Sequence, residues 1–369
     1  MKLSLKICAP KRDEVLQWGD YHVAMALQKY LKRHGHEAIV QIMPEWYNGD
    51  DADCDAVIHL RGLERYTTSP RHINVMWNIS HPETVSLEEY EDYDIVFVAS
   101  EIYAGELDSR VSVKVAPLLQ CTDPELFYPD VSNNYTADLI FVGNSRNVYR
   151  KILRDLLPTQ YDLKVWGTEW EKFIDGKYIQ GEYFPHENLR HLYSTSRILL
   201  NDHWDDMRVH GFISNRIFDA LACKAFIISD EVAGLQNVLA DAVVTYRDAG
   251  DLRGKIEFYL ANEVARRQIA EKGYALVTKN HTFDNRVLKI IEYVRNLHER
   301  DSIGNDGRGG LAKTLKKKDE EIQYWEGRYL QKEAELNMTI KNFQQSVSWK
   351  ITSPLRTLHR FLFGEREKH

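Results

Sequence analysis

Asn215, Arg216 and Asp219 lie together at the start of a short amphipathic pattern, residues 215–223, which runs straight into an apolar strand pattern at 225–229. The positive end of a helix dipole, a guanidinium and a carboxylate therefore converge, a combination suited to a ligand with both phosphates and sugar hydroxyls, a nucleotide-sugar. Other reactive residue types sit where strand patterns end. His81 follows the strand pattern 73–79 and precedes Pro82, which makes it a loop residue at a strand C-terminus. Gly19-Asp20-Tyr21-His22 follows the first strand, where Gly19 lets backbone approach a pyrophosphate or acceptor closely. Asp20 or His22 can face a reacting hydroxyl there, although His22 also fits a helix that begins at Val15. Arg146, Arg150 and Lys151 come just beyond the strand 138–142 and its turn at Gly143. Trp166-Gly167-Thr168 ends a further strand and borders a nucleobase or joins the core.

The elements that must hold these residues alternate along the chain. Strand patterns at 3–8, 38–43, 56–60, 73–79, 95–99 and 111–117 are separated by polar loops and helices, the first helix covering 15–34 and stopping at Gly35. After the polar connector 129–137 a second cycle follows: strand 138–142, helix 149–157, strand 163–166, helix 187–194, strand 198–201, the opening helix and strand, a short strand at 243–245, and helices over 251–297. Strands alternating with helices imply an α/β fold with parallel sheets covered on both faces. Two Rossmann-like domains facing across a cleft fit this order, with ligands where strand C-termini open into it. The expected boundaries are 1–120 and 121–298, then a linker 299–311, a charged helix 312–345 and a basic amphipathic tail 346–369.

Composition narrows the function classes. A chain of 369 residues with 43% hydrophobic content can form two such domains and an appendage. A net charge of -7 with no long basic stripe in the first 300 residues argues against nucleic-acid binding. Cys8, Cys54, Cys121 and Cys223 lie far apart in apolar contexts and read as reduced core thiols of a cytoplasmic protein. No apolar run reaches the ~18 residues of a membrane span, and no signal-peptide core follows Met1.

The chain resembles the GT-B glycosyltransferases of the large group 1, or family 4-like, set, and within it the branch of sporulation-protein CgeB-like enzymes. The resemblance covers residues 1–298 and is carried most specifically by SNRIFDALACKAFIISD with VAGL at 232–235. WGDYH (18–22), WNISHPE (77–83), LLQCTDPELFYP (118–129) and FVGNSR (141–146) agree with it. SVSWKITSPLR (346–356) looks like a tail of enzymes that assemble bacterial surface polysaccharides. The resemblance implies transfer of a sugar from a nucleotide diphosphate to an acceptor hydroxyl, with retention of anomeric configuration. It places Arg146 and Arg150 or Lys151 where the family keeps an Arg and a Lys for the diphosphate, with Arg216 reaching the same phosphates. Asp219 matches the second Glu of the paired-glutamate pattern, which holds the ribose, and His81 falls at a sugar- or acceptor-contacting His. The first Glu falls on Gly211, so His210, Asp205 or Asp206 is left to supply a polar group to the donor sugar.

Other signals are read as structural. Asp51-Ala-Asp53 and Asp53-Cys-Asp55 match the DxD motif of the other glycosyltransferase architecture but read as a loop before a strand. Gly143-Asn-Ser-Arg lacks the further glycines of a dinucleotide fingerprint, there is no P-loop, and the absence of ligand-like Cys and His spacing makes a metal-independent reaction without cofactor the expectation. Leu315, Ile322, Tyr329, Leu336 and Phe343 recur every seven residues, half of a coiled-coil seam suited to self-association, a partner helix or packing on the protein itself. The tail can lie on an anionic membrane surface, which would place the protein on the inner face of the cell membrane with a glycan or lipid-linked glycan acceptor, or it can pack back. A sugar-nucleotide epimerase and a non-catalytic scaffold of the same fold stay open beside the transferase.

Overall fold

The computed structural model describes residues 1–303 together with Tyr324, Trp325, Arg328, Tyr329, Lys332 and Leu336. The linker from residue 304, most of the charged helix and the whole basic tail lie outside the described residues. Met1–Thr68 and His72–Gly304 form one compact unit. Among the described residues of the second unit, Arg328 lies 5.1 Å over the Trp325 ring.

Two six-stranded sheets make up the first unit. The first contains β1 (Lys2–Lys6), β2 (Glu37–Gln41), β3 (Ala56–Arg61), β4 (Ile73–Asn78), β5 (Ile95–Val98) and β6 (Val115–Pro117), in the order β2-β1-β3-β4-β5-β6. The second contains β7 (Leu139–Val142), β8 (Leu163–Trp166), β9 (Ile179–Gly181), β10 (Ile198–Asn201), β11 (Ile227–Asp230) and β12 (Val244–Tyr246), in the order β12-β11-β10-β7-β8-β9. Every neighbouring pair is parallel. Parallel strands need crossovers that cover both faces, and β3 and β4 are buried along their whole length. In the second sheet the chain moves outward from β7 to β8 and β9, then returns to β10 on the other side. That reversal is a topological switch point, where open α/β sheets bind ligands beyond their strand C-termini.

Several expected elements differ in their bounds: the strand expected at 111–117 begins at Val115, the last helix runs to Ile303 into the expected linker, and three further differences lie nearer the chain's turns. The first helix is broken at Trp18, whose extended backbone separates a single turn at Val15–Gln17 from the helix Gly19–Arg33. Asp20 accepts the Cys8 N–H at 2.8 Å, which ties the new helix start to the end of β1. Strand β9 was not visible in the sequence, because its three residues, Ile-Gln-Gly, are too short and too exposed to make an apolar run. The strand expected at 225–229 begins two residues later, after Lys224 turns the chain with φ 58°.

The two halves are joined by more than one chain crossing. Phe283, Val287, Ile290, Ile291 and Val294 of the last helix, Phe283–Ile303, pack into the core beside the first sheet. Thr122 and Thr282 form a parallel bridge, so the outgoing and returning segments run side by side. Arg286 clamps them, donating from Nε to the Leu119 carbonyl at 2.7 Å, from Nη2 to Gln120 at 3.1 Å and from Nη1 to Asn280 at 3.2 Å. A third contact comes from Met207 and Phe212, which belong to the second half by sequence but lie in a core with Met76, Val85, Tyr90 and Val96.

Arg286 is buried, and removing its side chain strands three carbonyls. An Arg286→Ala variant is therefore expected to lose about 3 kcal/mol of unfolding free energy, read from urea titration. A loss below about 0.5 kcal/mol would show that the crossing holds without the clamp.

Candidate functional site

A cavity of about 620 Å³ opens between the halves, lined by residues that follow β1, β4, β7, β8 and β10. That size is in the range of small-molecule sites. Its floor on the second half is built by glycines. Gly143 has φ 153° and Gly167 φ 140°, and a Cβ on Gly167 would come 2.2 Å from the Gly143 carbonyl oxygen. A Cβ on Gly143 would meet Arg216 Nη2 at 2.7 Å. Only glycine lets these strand ends and the guanidinium approach so closely.

Three arginines meet at the switch point, in different states. Arg150 is buried, forms an ion pair with Asp202, donates to the Asp202 and Asn144 carbonyls and does not line the cavity. Arg216 donates to Asn201 Oδ1 at 2.6 Å and lies over the Phe141 ring, and burial depresses its pKa. Arg146, at φ 63°, stacks 4.5 Å over Trp204, and desolvation with the charges of Arg150 and Arg216 pulls its pKa down to about 9. Among the described residues no carboxylate pairs with Arg146 or Arg216, and both line the cavity. Lys151 instead pairs with Asp155 on the outside and does not line it.

Beside this positive wall stand hydrogen-bond acceptors. Asn215 Nδ2 donates to Asp219 Oδ2 at 2.7 Å, while Asn215 Oδ1 finds no donor among the described residues. Burial raises the Asp219 carboxyl well above its ordinary value. Asp20 Oδ1 and Gln120 Oε1, from the first half, also find no donor, and burial raises the Asp20 pKa. All four side chains line the cavity.

The histidines divide. His22 stacks flat on His186 across the cleft at 3.7 Å, and its Nε2 contacts the Leu16 carbonyl. Burial lowers both, His186 to about 3. His81 takes a left-handed conformation with φ 50°, lines the cavity and faces Asp206 at 3.4 Å. His210 turns away, toward Glu83 at 3.5 Å and the edge of Tyr103, and is not part of the cavity wall. Gly19, Trp166 and Gly167 do line it, with Trp166 edge-on to Phe184.

The position expected to carry a glutamate is closed. Gly211 has φ 76°, and a Cβ there would lie 2.8 Å from the Ala233 carbonyl oxygen and 2.9 Å from Ser100 Oγ. The residue borders a separate pocket of about 150 Å³. Sequence reasoning passed over the run Asp202-His203-Trp204, although it follows β10 at the switch point. His203 is fully enclosed, with Nδ1 2.7 Å from Asp230 and Nε2 accepting the Ser214 N–H at 2.9 Å. Because Nε2 accepts, the proton sits on Nδ1, and the pair fixes the turn that enters the helix Asn215–Ala222.

A family profile described as glycosyl transferase-like matches residues 146–292. No curated protein matches in sequence. Similar solved structures include sucrose-phosphate synthase from Thermosynechococcus elongatus, with TM-score 0.61, 13% identity and coverage of 81% of this chain and 99% of that one. A glycosyltransferase from Rickettsia africae superposes with TM-score 0.57 and 13% identity over 80% and 98%. An alpha-glucosyltransferase, solved with UDP-glucose and DNA, gives 0.58 and 11% over 80% and 99%. The chain has the GT-B architecture of these enzymes, and its residues 146–292 are similar to the glycosyl transferase-like family.

The raised Asp219 pKa has a consequence for stability. A carboxyl with a higher pKa in the folded than in the unfolded state costs stability as pH rises above its unfolded value. Asp219→Asn, which imitates the neutral acid, is expected to melt at a higher temperature than the parent, by a margin that widens from pH 4 to pH 8. A lower melting temperature at pH 8 would overturn the assignment of a neutral carboxyl.

Proposed function

We propose that the protein transfers a sugar from a nucleotide diphosphate donor to a hydroxyl of a glycan or lipid-linked glycan. The observation that carries this reading is the pairing, in one cavity, of two guanidiniums without a carboxylate partner and acceptor oxygens without a donor among the described residues. Phosphates suit the first and sugar hydroxyls the second. Arg146, Arg216 and the start of the helix Asn215–Ala222 then face the diphosphate, Asn215 and Asp219 the ribose, and Trp166 the base. Gly143 and Gly167 keep the backbone open to the phosphates, while Gly19, Asp20 and His22 face the acceptor.

In the reaction the bond from the anomeric carbon to the diphosphate oxygen breaks and its electron pair leaves with the nucleotide. The acceptor oxygen forms the new bond, and its proton departs. Negative charge grows on the leaving diphosphate, where preorganised cations lower the barrier. Supplying that charge from arginine supports a reaction that needs no divalent cation. The resemblance over residues 1–298 supports retention of configuration, and the tail 346–369 supports a role at the inner membrane face in assembling bacterial surface polysaccharide. Among the described residues no helix is long and apolar enough to cross a membrane.

Incubation with UDP-, GDP-, dTDP- and CMP-sugars and a glycan acceptor tests the reading. Free nucleotide from one donor, unaffected by EDTA, is expected; a changed sugar nucleotide would indicate an epimerase, and no turnover a scaffold. Arg216→Ala should cut kcat/KM about 100-fold, the scale of removing one charge-stabilising donor, and near-normal turnover would refute the phosphate assignment. Deleting residues 346–369 should release the protein from anionic vesicles, and unchanged binding would exclude the interfacial tail.

A further inference from the structure

We propose that Asp206 is a positioning residue that fixes His81 as the hydrogen-bond acceptor for a hydroxyl of the donor sugar, in place of the carboxylate that position 211 cannot carry. The inference rests on the donor-binding reading above. Three observations support it.

The first is geometric. His81 Nδ1 lies 3.4 Å from Asp206 Oδ2, and both side chains are mostly enclosed, at 19% and 15% exposure. His81 lines the cavity and Asp206 does not, so the carboxylate stands behind the ring. A carboxylate only accepts, so it holds the imidazole with its proton on Nδ1. Nε2 then presents a lone pair, which takes a hydrogen from a hydroxyl.

The second is position. The Trp204 indole carries Arg146 at 4.5 Å and the His81 ring at 5.6 Å. The guanidinium and the imidazole are thus neighbours on one aromatic. A donor sugar is bonded to the phosphate that Arg146 faces, which brings its hydroxyls to the adjacent group. Position 211 offers no rival, because any side chain there collides with Ala233 and Ser100.

The third is that the arrangement is held against strain. His81 has φ 50° and precedes proline, a backbone state disfavoured for any side chain. Thr84 secures it, with N–H and Oγ1 both donating to the His81 carbonyl at 3.0 and 2.8 Å. On the other side, Met207 and Phe212 anchor the Asp206 segment in the core of the first half. Burial lowers the His81 pKa; Asp206 opposes this, while Arg146 and Arg61 add to it, and Arg61 is itself paired with Glu89.

The test compares the parent, Asp206→Asn, His81→Ala and the double variant, all at full length. UDP and the other nucleoside diphosphates, measured by calorimetry, report the nucleotide site alone; KM and kcat are then taken with the sugar nucleotide the parent turns over. Expected for Asp206→Asn are unchanged nucleotide affinity and about a 10-fold rise in donor KM, while adding Asp206→Asn to His81→Ala is expected to bring no further loss, because the carboxylate acts through the ring. The acidic limb of kcat/KM should also move to lower pH, since the charge that raised the His81 pKa is gone. Additive losses, or an unmoved acidic limb, would overturn the positioning role. Absence of nucleotide binding by the parent would instead refute the underlying donor reading.

Discussion

Two guanidinium groups, Arg146 and Arg216, are held at the mouth of a parallel sheet without a carboxylate partner among the described residues, and most of the cleft follows from keeping them there. Like charges at the switch point repel, and their partial desolvation removes the water that would screen them. The protein offsets this with neutral supports. Asn201 accepts from Arg216, Phe141 and Trp204 offer ring faces, and Asp202 pairs with the third arginine, so that two guanidiniums line the cleft without an ion pair among the described residues. The glycines at 143 and 167 belong to the same constraint, because a side chain at either would drive the strand end or the guanidinium out of place. A site organised in this way would favour an anion, as the proposed donor diphosphate is.

How much of this could be read in advance depended on whether the signal was local. The helix Asn215–Ala222 and the strand after it were legible because amphipathic and apolar periods follow one another within a few residues. The break at Trp18 was not, since the apolar face of 15–34 continues across it and the new helix start is tied by a hydrogen bond from Cys8, in the loop after β1. The three cations after β7 illustrate the same limit. Arg146, Arg150 and Lys151 are equivalent in sequence, yet a carboxylate 52 residues away takes Arg150 inward and Asp155 takes Lys151 outward. Tertiary pairing alone assigns Arg146 to the cleft.

Gly211 shows how a departure from a family pattern acquires meaning in three dimensions. In the sequence it marks a missing carboxylate. In the structure it marks a tight junction, where the segment after Asp205–Val209 passes between Ala233 and Ser100 and the His210 carbonyl accepts from Ser100 Oγ at 2.6 Å. A left-handed glycine is what lets the second half insert Met207 and Phe212 into the first half's core. The same residue type thus excludes a side chain at this position and permits the junction between the halves.

That anchor bears on how the cleft works. Domains that close over a ligand usually meet through small, polar surfaces that part easily. Here the halves share a paired crossing at Thr122 and Thr282, an arginine clamp and an apolar anchor. Each is buried, so opening any of them exposes apolar surface or strands hydrogen-bonding groups. The His22–His186 stack differs, because burial keeps both rings uncharged and their contact is a flat face that can slide or part without stranding a hydrogen bond between them. The His22–His186 side of the cleft is therefore joined by a contact without hydrogen bonds between the rings, while the His81–Asp206 side adjoins the buried anchor. An anchored His81 would suit the hydrogen-bonding role proposed for it, since discrimination among sugars depends on a geometry that does not relax to fit each of them.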